Sequence, residues 1–316
     1  MSPQVFADTP IDSIVFNEQQ VFVKRDDLLS KEFSGNKARK FAYFLENDFP
    51  GKTGLVGHGS PVANSLYSMS ALAKLKGVSL DFYVDHIAEQ VLQSTTGNYA
   101  ESIANGANVI DVSKCEDRDD LSVIDYIQQK VLPDNEHLLF VPEGGRCEYA
   151  RFGVHKLAQE IIDWSQQQSL PVVQVFLPSG TGTTAVFLSE YLTLHSDNIK
   201  VFTCACVGGN DYLQLQFDEL LADRSLHPTI VDLGKKYHFG KLYKSFYDMY
   251  NQLLASGIEF ELLYDPLGWM CVEKLIQQNA MMPNNSSSSA ATILYIHQGG
   301  LLGNETMLPR YQRKYG

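Results

Sequence analysis

The sequence predicts an α/β protein whose strands run mainly parallel to one another. Apolar runs of strand length alternate with segments of helical periodicity along most of the chain, which is the order that builds parallel sheets covered by helices. Two of these runs, 172–178 and 200–207, are almost continuously apolar, as expected for strands that are covered on both faces. The hydrophobic fraction of 44% is enough for a large core.

The predicted elements follow one another as pairs of one strand and one helix. Strands are predicted at 21–26, 55–58, 80–84, 108–112, 138–142, 172–178, 200–207, 260–265 and 293–297. Helices are predicted from 36 to about 48, at 62–76, in a stretch ending near 106, and at 149–164, 183–194, 211–222 and 269–278. The segment 284–291, which is rich in Asn and Ser, is predicted to be a polar surface loop without chemistry.

Length and charge limit the possible partners and compartments. A chain of 316 residues is long enough for two domains or one large one. Its net charge of −12 would repel nucleic acid and anionic membranes, so neither is expected as a partner. The N-terminus lacks the pattern of a secretory signal, and no apolar run reaches membrane-spanning length. The five cysteines form no C-x-x-C pair, so we expect a cytoplasmic protein without a zinc site or a disulfide framework.

The first segment with possible chemistry is SGNKARK at 34–40, a turn that opens a predicted helix. Lys37 falls in the first helical turn, where the positive end of the helix dipole opposes its charge and would lower its pKa. A lysine with a lowered pKa suits a covalent role. The alternative is an ordinary solvated basic face of the helix.

The second segment is SGTGTTA at 179–185, between a buried strand and a helix. Its glycines allow close approach to the backbone, whose N–H groups can hold a phosphate together with the threonine hydroxyls. It also fits the dinucleotide fingerprint G-x-G-x-x-A, but the acidic residue which that use requires is missing where the next strand ends, at 207–210. A smaller phosphate-bearing cofactor fits better, and its predicted ligands are Ser179, Gly180, Thr181, Gly182, Thr183 and Thr184.

Two further segments lie where predicted parallel strands end. GHGSPVANS at 57–65 could hold a carboxylate through its small polar groups, or it could simply cap a helix with Ser60 placed before Pro61. Glycines also follow the strands 138–142 and 293–297, at the edge where α/β proteins bind ligands. The sequence contains neither the G-x-S-x-G nor the H-E-x-x-H motif.

The order of these segments resembles that of the fold type II pyridoxal-phosphate (PLP) enzymes. The elements KRDDLL, SGNKARK, SGTGTTA and HQGG, together with Asn64, resemble the 1-aminocyclopropane-1-carboxylate (ACC) deaminase and D-cysteine desulfhydrase family from about Phe16 to Gly303. The resemblance implies a tryptophan synthase β-like fold with two three-layer α/β/α domains. A large PLP-binding domain would be formed by 1–45 and 156–316, and a small inserted domain by 46–155. It also implies a homodimer.

The resemblance also implies roles for individual residues. Lys37 matches the lysine that bonds to PLP and moves the α-proton of the substrate. Asn64 matches the asparagine that hydrogen-bonds the 3′ oxygen of PLP, and the loop 180–184 matches the phosphate cradle. The residues expected to line the substrate site are Ser60, Ala63, Ser65, Gly144 and His297, although a lone histidine is more often structural than catalytic.

The chain departs from the family pattern on the substrate side. The serine thought to act on substrate is replaced by Ala63, the catalytic tyrosine falls near Gly268, and the polar partner of the pyridine nitrogen falls near Trp269. These changes favour simple β-elimination over ACC ring opening. The leading hypothesis is a PLP-dependent lyase or deaminase that releases ammonia and a 2-oxo acid from a small amino acid. The alternatives are a PLP-binding homologue with weak or no turnover, and a nicotinamide-dependent oxidoreductase.

Overall fold

The computed structural model describes residues 7–30, 33, 35–281 and 291–316, and it confirms the α/β class. Ser34 of the first segment and residues 284–290 of the predicted polar loop lie outside the described residues. The strands are β1 (Ile11–Phe16), β2 (Gln19–Lys24), β3 (Gly54–His58), β4 (Ser79–Val84), β5 (Asn108–Asp111), β6 (Leu138–Phe140), β7 (Val173–Ser179), β8 (Ile199–Ala205), β9 (Thr229–Ile230) and β10 (Thr292–Ile296).

The helices follow the strands in the alternation that the sequence predicts. They are α1 (Gly35–Glu46), α2 (Asn64–Lys76), α3 (Glu89–Leu92), α4 (Gly97–Ala104), α5 (Val123–Tyr126), α6 (Ala150–Gln167), α7 (Thr183–His195), α8 (Asn210–Leu220), α9 (Lys244–Leu254), α10 (Asp265–Met281) and α11 (Asn304–Tyr315). None of them, within the described part of the chain, combines the length and apolarity that a membrane crossing needs.

The larger sheet has six strands in the order β1-β2-β10-β7-β8-β9. All neighbouring pairs are parallel except β1 and β2, which form an antiparallel pair at one edge. Apolar side chains of α6, α7 and α8 cover one face of this sheet, and those of α9, α10 and α11 cover the other. Coverage on both faces explains why β7 and β10 are apolar without alternation.

The smaller sheet has four parallel strands in the order β5-β4-β3-β6. Phe41 of α1 and Leu72 of α2 pack on one face with Phe82 of β4, while Tyr126 of α5 packs on the other face near Tyr83. Each sheet therefore lies between two helical layers, as the fold class requires. The strands of the smaller sheet all fall within 46–155, but the domain boundaries themselves stay a prediction.

The predicted strand at 260–265 is wrong. The Glu261 carboxylate accepts backbone N–H groups of Leu263 at 2.7 Å and Asp265 at 2.9 Å, so this segment turns into the start of α10 and pairs with no strand in the described chain. The predicted cap of Ser60 before Pro61 is also wrong, because α2 begins at Asn64. The elements β1, β9, α5, α9 and α11 were not predicted, because they lie outside the alternating pattern of strands and helices.

Candidate active site

The loops that follow β3, β6, β7 and β10 converge on the N-terminus of α1. The backbone N–H of Asn36 donates to the Gln298 carbonyl at 3.3 Å, and its side-chain amide donates to Gln298 Oε1 at 2.8 Å. A β-carbon on Gly144 would lie 3.4 Å from Thr181 Cγ2, and one on Gly300 would lie 2.7 Å from Asn64 Nδ2. The four segments singled out in the sequence therefore meet in one cleft at the carboxyl ends of both sheets.

Lys37 lies in the first turn of α1, at the centre of this convergence. Burial lowers the pKa of its ammonium group to about 8, although a hydrogen bond with Lys40 and the negative charge of Glu143 partly oppose the shift. Its Nζ donates to Asn36 Oδ1 at 3.2 Å. Near neutral pH this amine loses its proton far more readily than a solvated lysine, which is the property that a nucleophile and proton carrier needs.

Sequence reasoning missed the second lysine of the site, Lys40. Its side chain is buried, and burial together with the charge of Lys37 holds its pKa well below the usual range. Its Nζ lies 3.8 Å from the position of a β-carbon on Gly144, beside the Thr181 segment. The spacing of Lys37 and Lys40 by one helical turn places both on one face of α1, and this spacing was the signal available in the sequence.

The segment between β7 and α7 forms a cradle of backbone amides and hydroxyls. Gly182 has a positive φ of 72° and precedes the first turn of α7; a β-carbon there would lie 2.4 Å from Phe217 Cε1. Ser179 Oγ is paired with Thr203 Oγ1 at 2.7 Å, and Thr181 Oγ1 with Thr183 Oγ1 at 3.0 Å. The hydroxyl of Thr184 is buried and has no hydrogen-bond partner in the described chain.

The loop after β3 places its residues at different depths. Asn64 is the first residue of α2, and its Oδ1 accepts a hydrogen bond from Asn98 Nδ2 at 2.8 Å. Ala63 is the capping residue before α2 and brings no hydroxyl. Ser60 is exposed, whereas Ser65 is 5% exposed and packs inside the helix layer. Neither serine stands at the position that Ala63 occupies.

Glu143 is a second residue that sequence reasoning missed. It follows β6 directly, and its Oε1 lies 3.2 Å from the position of a β-carbon on Gly59. No cationic side chain of the described chain forms a salt bridge with its carboxylate, although its charge reaches both Lys37 and Lys40. The negative charge of this carboxylate therefore opposes the lowering of both lysine pKa values.

His297 is fully buried and serves the fold. Its Nε2 lies 2.7 Å from the Glu259 carbonyl, its Nδ1 accepts the Gly299 N–H at 3.2 Å, and its ring stacks on Phe260. Both ring nitrogens are thereby occupied by backbone groups. This arrangement orients the loop that contains Gln298, Gly299 and Gly300 and supports the structural role of the histidine.

Gly268 and Trp269, where the resemblance places the tyrosine and the partner of the pyridine nitrogen, offer no hydroxyl, although the Trp269 indole N–H is buried without a partner in the described chain. Trp269 is fully buried and stacks on Tyr295 at a centroid distance of 4.5 Å. A β-carbon on Gly268 would lie 2.6 Å from the Tyr295 hydroxyl, which donates to Asp265 Oδ1 at 2.6 Å. A different tyrosine, Tyr264, reaches the cleft, and its hydroxyl lies 3.5 Å from the position of a β-carbon on Gly180.

The residues present fit PLP. An amine of lowered pKa can bond to its aldehyde, and the start of α7 offers backbone amides to its phosphate. The unpaired, buried hydroxyl of Thr184 is energetically costly without a partner, and a phosphate oxygen would supply one. The buried amine of Lys40 adds a hydrogen-bonding group on the same side.

Comparisons with known proteins agree with this chemistry. The family described as pyridoxal-phosphate dependent enzyme matches residues 5–238. A Thermotoga maritima protein named "Putative 1-aminocyclopropane-1-carboxylate deaminase" is 28% identical over 292 residues, which cover 90% of this chain and 89% of that protein.

Two solved structures share the fold. The crystal structure of an ACC deaminase homologue superposes with a TM-score of 0.77 at 19% identity, covering 96% of this chain and 93% of that one. A hydrogen sulfide-producing enzyme from Fusobacterium nucleatum superposes with a TM-score of 0.65 at 14% identity, covering 94% and 97%. The match of residues 5–238 identifies the chain as a member of the pyridoxal-phosphate dependent enzyme family, with the fold type II architecture of these relatives.

Proposed function

We propose that this protein is a PLP-dependent lyase that removes ammonia from a small amino acid and leaves a 2-oxo acid. The observation that carries the proposal is Lys37, a partly buried lysine whose pKa is lowered to about 8 and whose helix begins beside the loop after β10. When bound, PLP supplies an electron sink for the negative charge that develops at the substrate α-carbon. The 28% identical relative, named for ACC deamination, supports the same reaction class.

In this proposal different side chains transfer the proton, bind the cofactor and bind the substrate. Lys37 Nζ takes the α-proton, the leaving group on the β-carbon departs with its bonding electron pair, and water then releases ammonia and the 2-oxo acid. Thr184, the backbone amides at the start of α7 and Lys40 would hold the phosphate of PLP, and Asn64 would donate to its 3′ oxygen. The loop after β3 holds the substrate carboxylate.

The substrate side favours β-elimination over ACC ring opening. Ala63 lacks a hydroxyl, and Gly268 is pressed against the Tyr295 hydroxyl, so the two groups that the family pattern supplies for ring opening are absent. Elimination from a D-cysteine-like substrate needs only a base and a leaving group. The same two changes favour, as a second candidate, a PLP-binding protein with little turnover. Membership of the PLP family removes the basis for the nicotinamide hypothesis.

The assembly and location of the protein belong to the same proposal. The family resemblance supports a homodimer, a division into an inserted domain at 46–155 and a large domain, and a cytoplasmic location. The net charge of −12 argues against nucleic acid as a partner.

The proposal is tested by Lys37→Ala. We expect the purified variant to lose the visible absorbance of lysine-bound PLP, and borohydride reduction to leave no labelled peptide at position 37. Lys156→Ala, which removes an exposed lysine paired with Glu46, is the control and should keep both signals. A panel of D- and L-amino acids with ACC is then assayed for 2-oxo acid. Labelling without turnover of any member would favour the non-catalytic candidate, and a retained band in Lys37→Ala would refute the assignment.

A further inference from the structure

We propose that Asn98 is a positioning residue that fixes which end of the Asn64 amide faces the cleft. The inference rests on the proposed function, in which Asn64 meets the 3′ oxygen of PLP, and it adds a residue outside the predicted site. Asn98 lies at the start of α4, in a segment that no motif of the sequence marks. Its side chain is the link between that helix and Asn64.

The direction of the amide groups follows from one backbone carbonyl. The Val62 carbonyl can only accept, and it receives a hydrogen bond from Asn98 Nδ2 at 3.0 Å. This contact fixes the Asn98 nitrogen on the side of α2. The same nitrogen gives its second hydrogen to Asn64 Oδ1 at 2.8 Å. The oxygen of Asn64 is thereby held toward Asn98, and its nitrogen is turned away from it.

The nitrogen of Asn64 then faces the loop after β10. It lies 2.7 Å from the position of a β-carbon on Gly300, whose φ of 87° also requires glycine. Within the described chain it donates no hydrogen bond, so both of its hydrogens remain available. An amide nitrogen held in this way selects a hydrogen-bond acceptor, and an anionic oxygen is the strongest one. The 3′ oxygen of PLP, a phenolate when ionised, has that character.

The cost of the arrangement supports a positioning role. Asn98 is 6% exposed, and its Oδ1 is buried without a partner in the described chain. An unpaired buried oxygen is unfavourable, so packing alone would be better served by an apolar side chain. The backbone of Asn98 is held separately: Ser102 Oγ donates to its carbonyl at 2.6 Å, and the neighbouring Gly97 N–H donates to Glu305 Oε2 at 3.1 Å. The unpaired oxygen of Asn98 is therefore tolerated because the nitrogen of the same amide makes the two hydrogen bonds that orient Asn64.

The decisive variant is Asn98→Asp, which keeps the shape but removes both donors. A carboxylate at this position repels Asn64 Oδ1 and accepts from Asn64 Nδ2, so the Asn64 amide turns over and presents its oxygen to PLP. We expect about a tenfold rise in the Kd for PLP, the loss of one hydrogen bond, and a shift of intensity from the visible absorbance band to the near-ultraviolet band. Asn98→Ala, which only frees the Asn64 amide, should give a smaller shift of the same kind.

Two further variants separate positioning from simple structural support. Ser102→Ala removes a buried hydrogen bond from the same helix; it should lower the thermal midpoint and leave the absorbance spectrum and the Kd for PLP unchanged. Asn64→Ala should reproduce the spectral shift of Asn98→Asp. The proposal is overturned if the spectrum of Asn98→Asp matches that of the wild type, if Asn64→Ala leaves it unmoved, or if Ser102→Ala moves it equally. Since these readouts need no turnover, failure of the lyase assignment leaves this test intact.

Discussion

The chemistry of the cleft depends on three ionisable side chains that tune one another. Lys37 and Lys40 are one helical turn apart in a buried setting, so desolvation and mutual repulsion lower the pKa of Lys40, while desolvation dominates for Lys37. Glu143, which comes from the smaller sheet, opposes the shift of Lys37. The pKa of Lys37 is therefore set by burial, by Lys40 of the same helix and by Glu143 from the loop after β6.

Replacing Glu143 by Gln should lower the pKa of Lys37 below its value of about 8, because the negative charge that favours the ammonium form is removed. Only the neutral amine attacks the cofactor aldehyde, so the rate of covalent PLP attachment rises as the pH passes upward through the Lys37 pKa. In Glu143→Gln this rise should occur at lower pH, with faster attachment at pH 7. The measurement is the rate at which the visible absorbance band forms when PLP is added to cofactor-free protein. The pH is varied from about 6 to about 10, a range that brackets the pKa of a lysine whose value is lowered.

Glu148→Gln provides the control, since that carboxylate lies in the same loop but pairs with Arg151. Its profile should coincide with the wild type. A Glu143→Gln profile displaced to higher pH, or not displaced, would contradict the assignment of Glu143.

At the level of elements, the hydroxyls at the start of α7 differ in whether they have a hydrogen-bond partner. The hydroxyls of Ser179, Thr181 and Thr183 pair with one another or with Thr203, whereas the buried Thr184 hydroxyl has no partner among the described residues. Helix α10 shows the opposite arrangement: its first turn is filled by the bond between the Tyr295 hydroxyl and Asp265, which leaves space only for glycine at 268. The start of α7 therefore leaves a buried hydroxyl without a partner in the described chain, whereas position 268 has space only for glycine.

Thr184→Val should separate stability from cofactor binding. The substitution keeps the shape and removes an unsatisfied buried hydroxyl, so the cofactor-free protein should be as stable as the wild type or more stable. Its Kd for PLP should rise about tenfold because one hydrogen bond to the phosphate is lost. Urea unfolding and fluorescence titration with PLP measure the two quantities.

The matched control is Ser189→Ala, a buried serine farther along α7. It should leave the Kd for PLP unchanged. Unchanged PLP affinity in Thr184→Val, or a large loss of stability in its cofactor-free form, would refute the phosphate role of this hydroxyl.

At the scale of the whole molecule, a buried charge network joins α1 to the larger sheet and to α6. The Arg39 guanidinium donates to Asp26 at 2.8 Å and to Glu160 at 2.6 Å, and Lys24 Nζ lies 2.6 Å from Glu160. Burial raises the pKa of Glu160, but Arg39 and Lys24 outweigh burial and leave it below its usual value. Because Arg39 lies two residues after Lys37, the same network fixes the helix that contains Lys37.

Arg39→Met should destabilise the cofactor-free protein by about 3–5 kcal/mol, because it leaves the Asp26 and Glu160 carboxylates buried with one cation fewer. The free energy of unfolding in urea measures the loss. Arg313→Met, a change in the last turn of α11, is the control and should stay within about 0.5 kcal/mol of the wild type. A loss of under about 1 kcal/mol in Arg39→Met would show that the network does not hold the fold.

The amino-acid sequence by itself determined the alternation of strands and helices and the placement of Lys37 in a first helical turn. It also determined the glycine-containing loops at 179–185 and 297–300. These features depend on local periodicity and on backbone conformations that only glycine adopts easily, so they can be predicted without knowledge of tertiary contacts. The strand predicted at 260–265 failed because the Glu261 carboxylate, with its hydrogen bonds to the following backbone, overrides an apolar run of strand length.

Only the tertiary structure decided which side chains share the cleft. Glu143 and Tyr264 reach the site, and Asn98 contacts Asn64, because strand order and helix packing bring distant segments together. The same packing buries His297 and Trp269, which the sequence placed among the candidate site positions. Burial and hydrogen-bond direction depend on contacts between residues far apart in the chain. The sequence could therefore predict the loop 179–185 as a candidate phosphate-binding loop, whereas the side chains that surround it became known only from the tertiary structure.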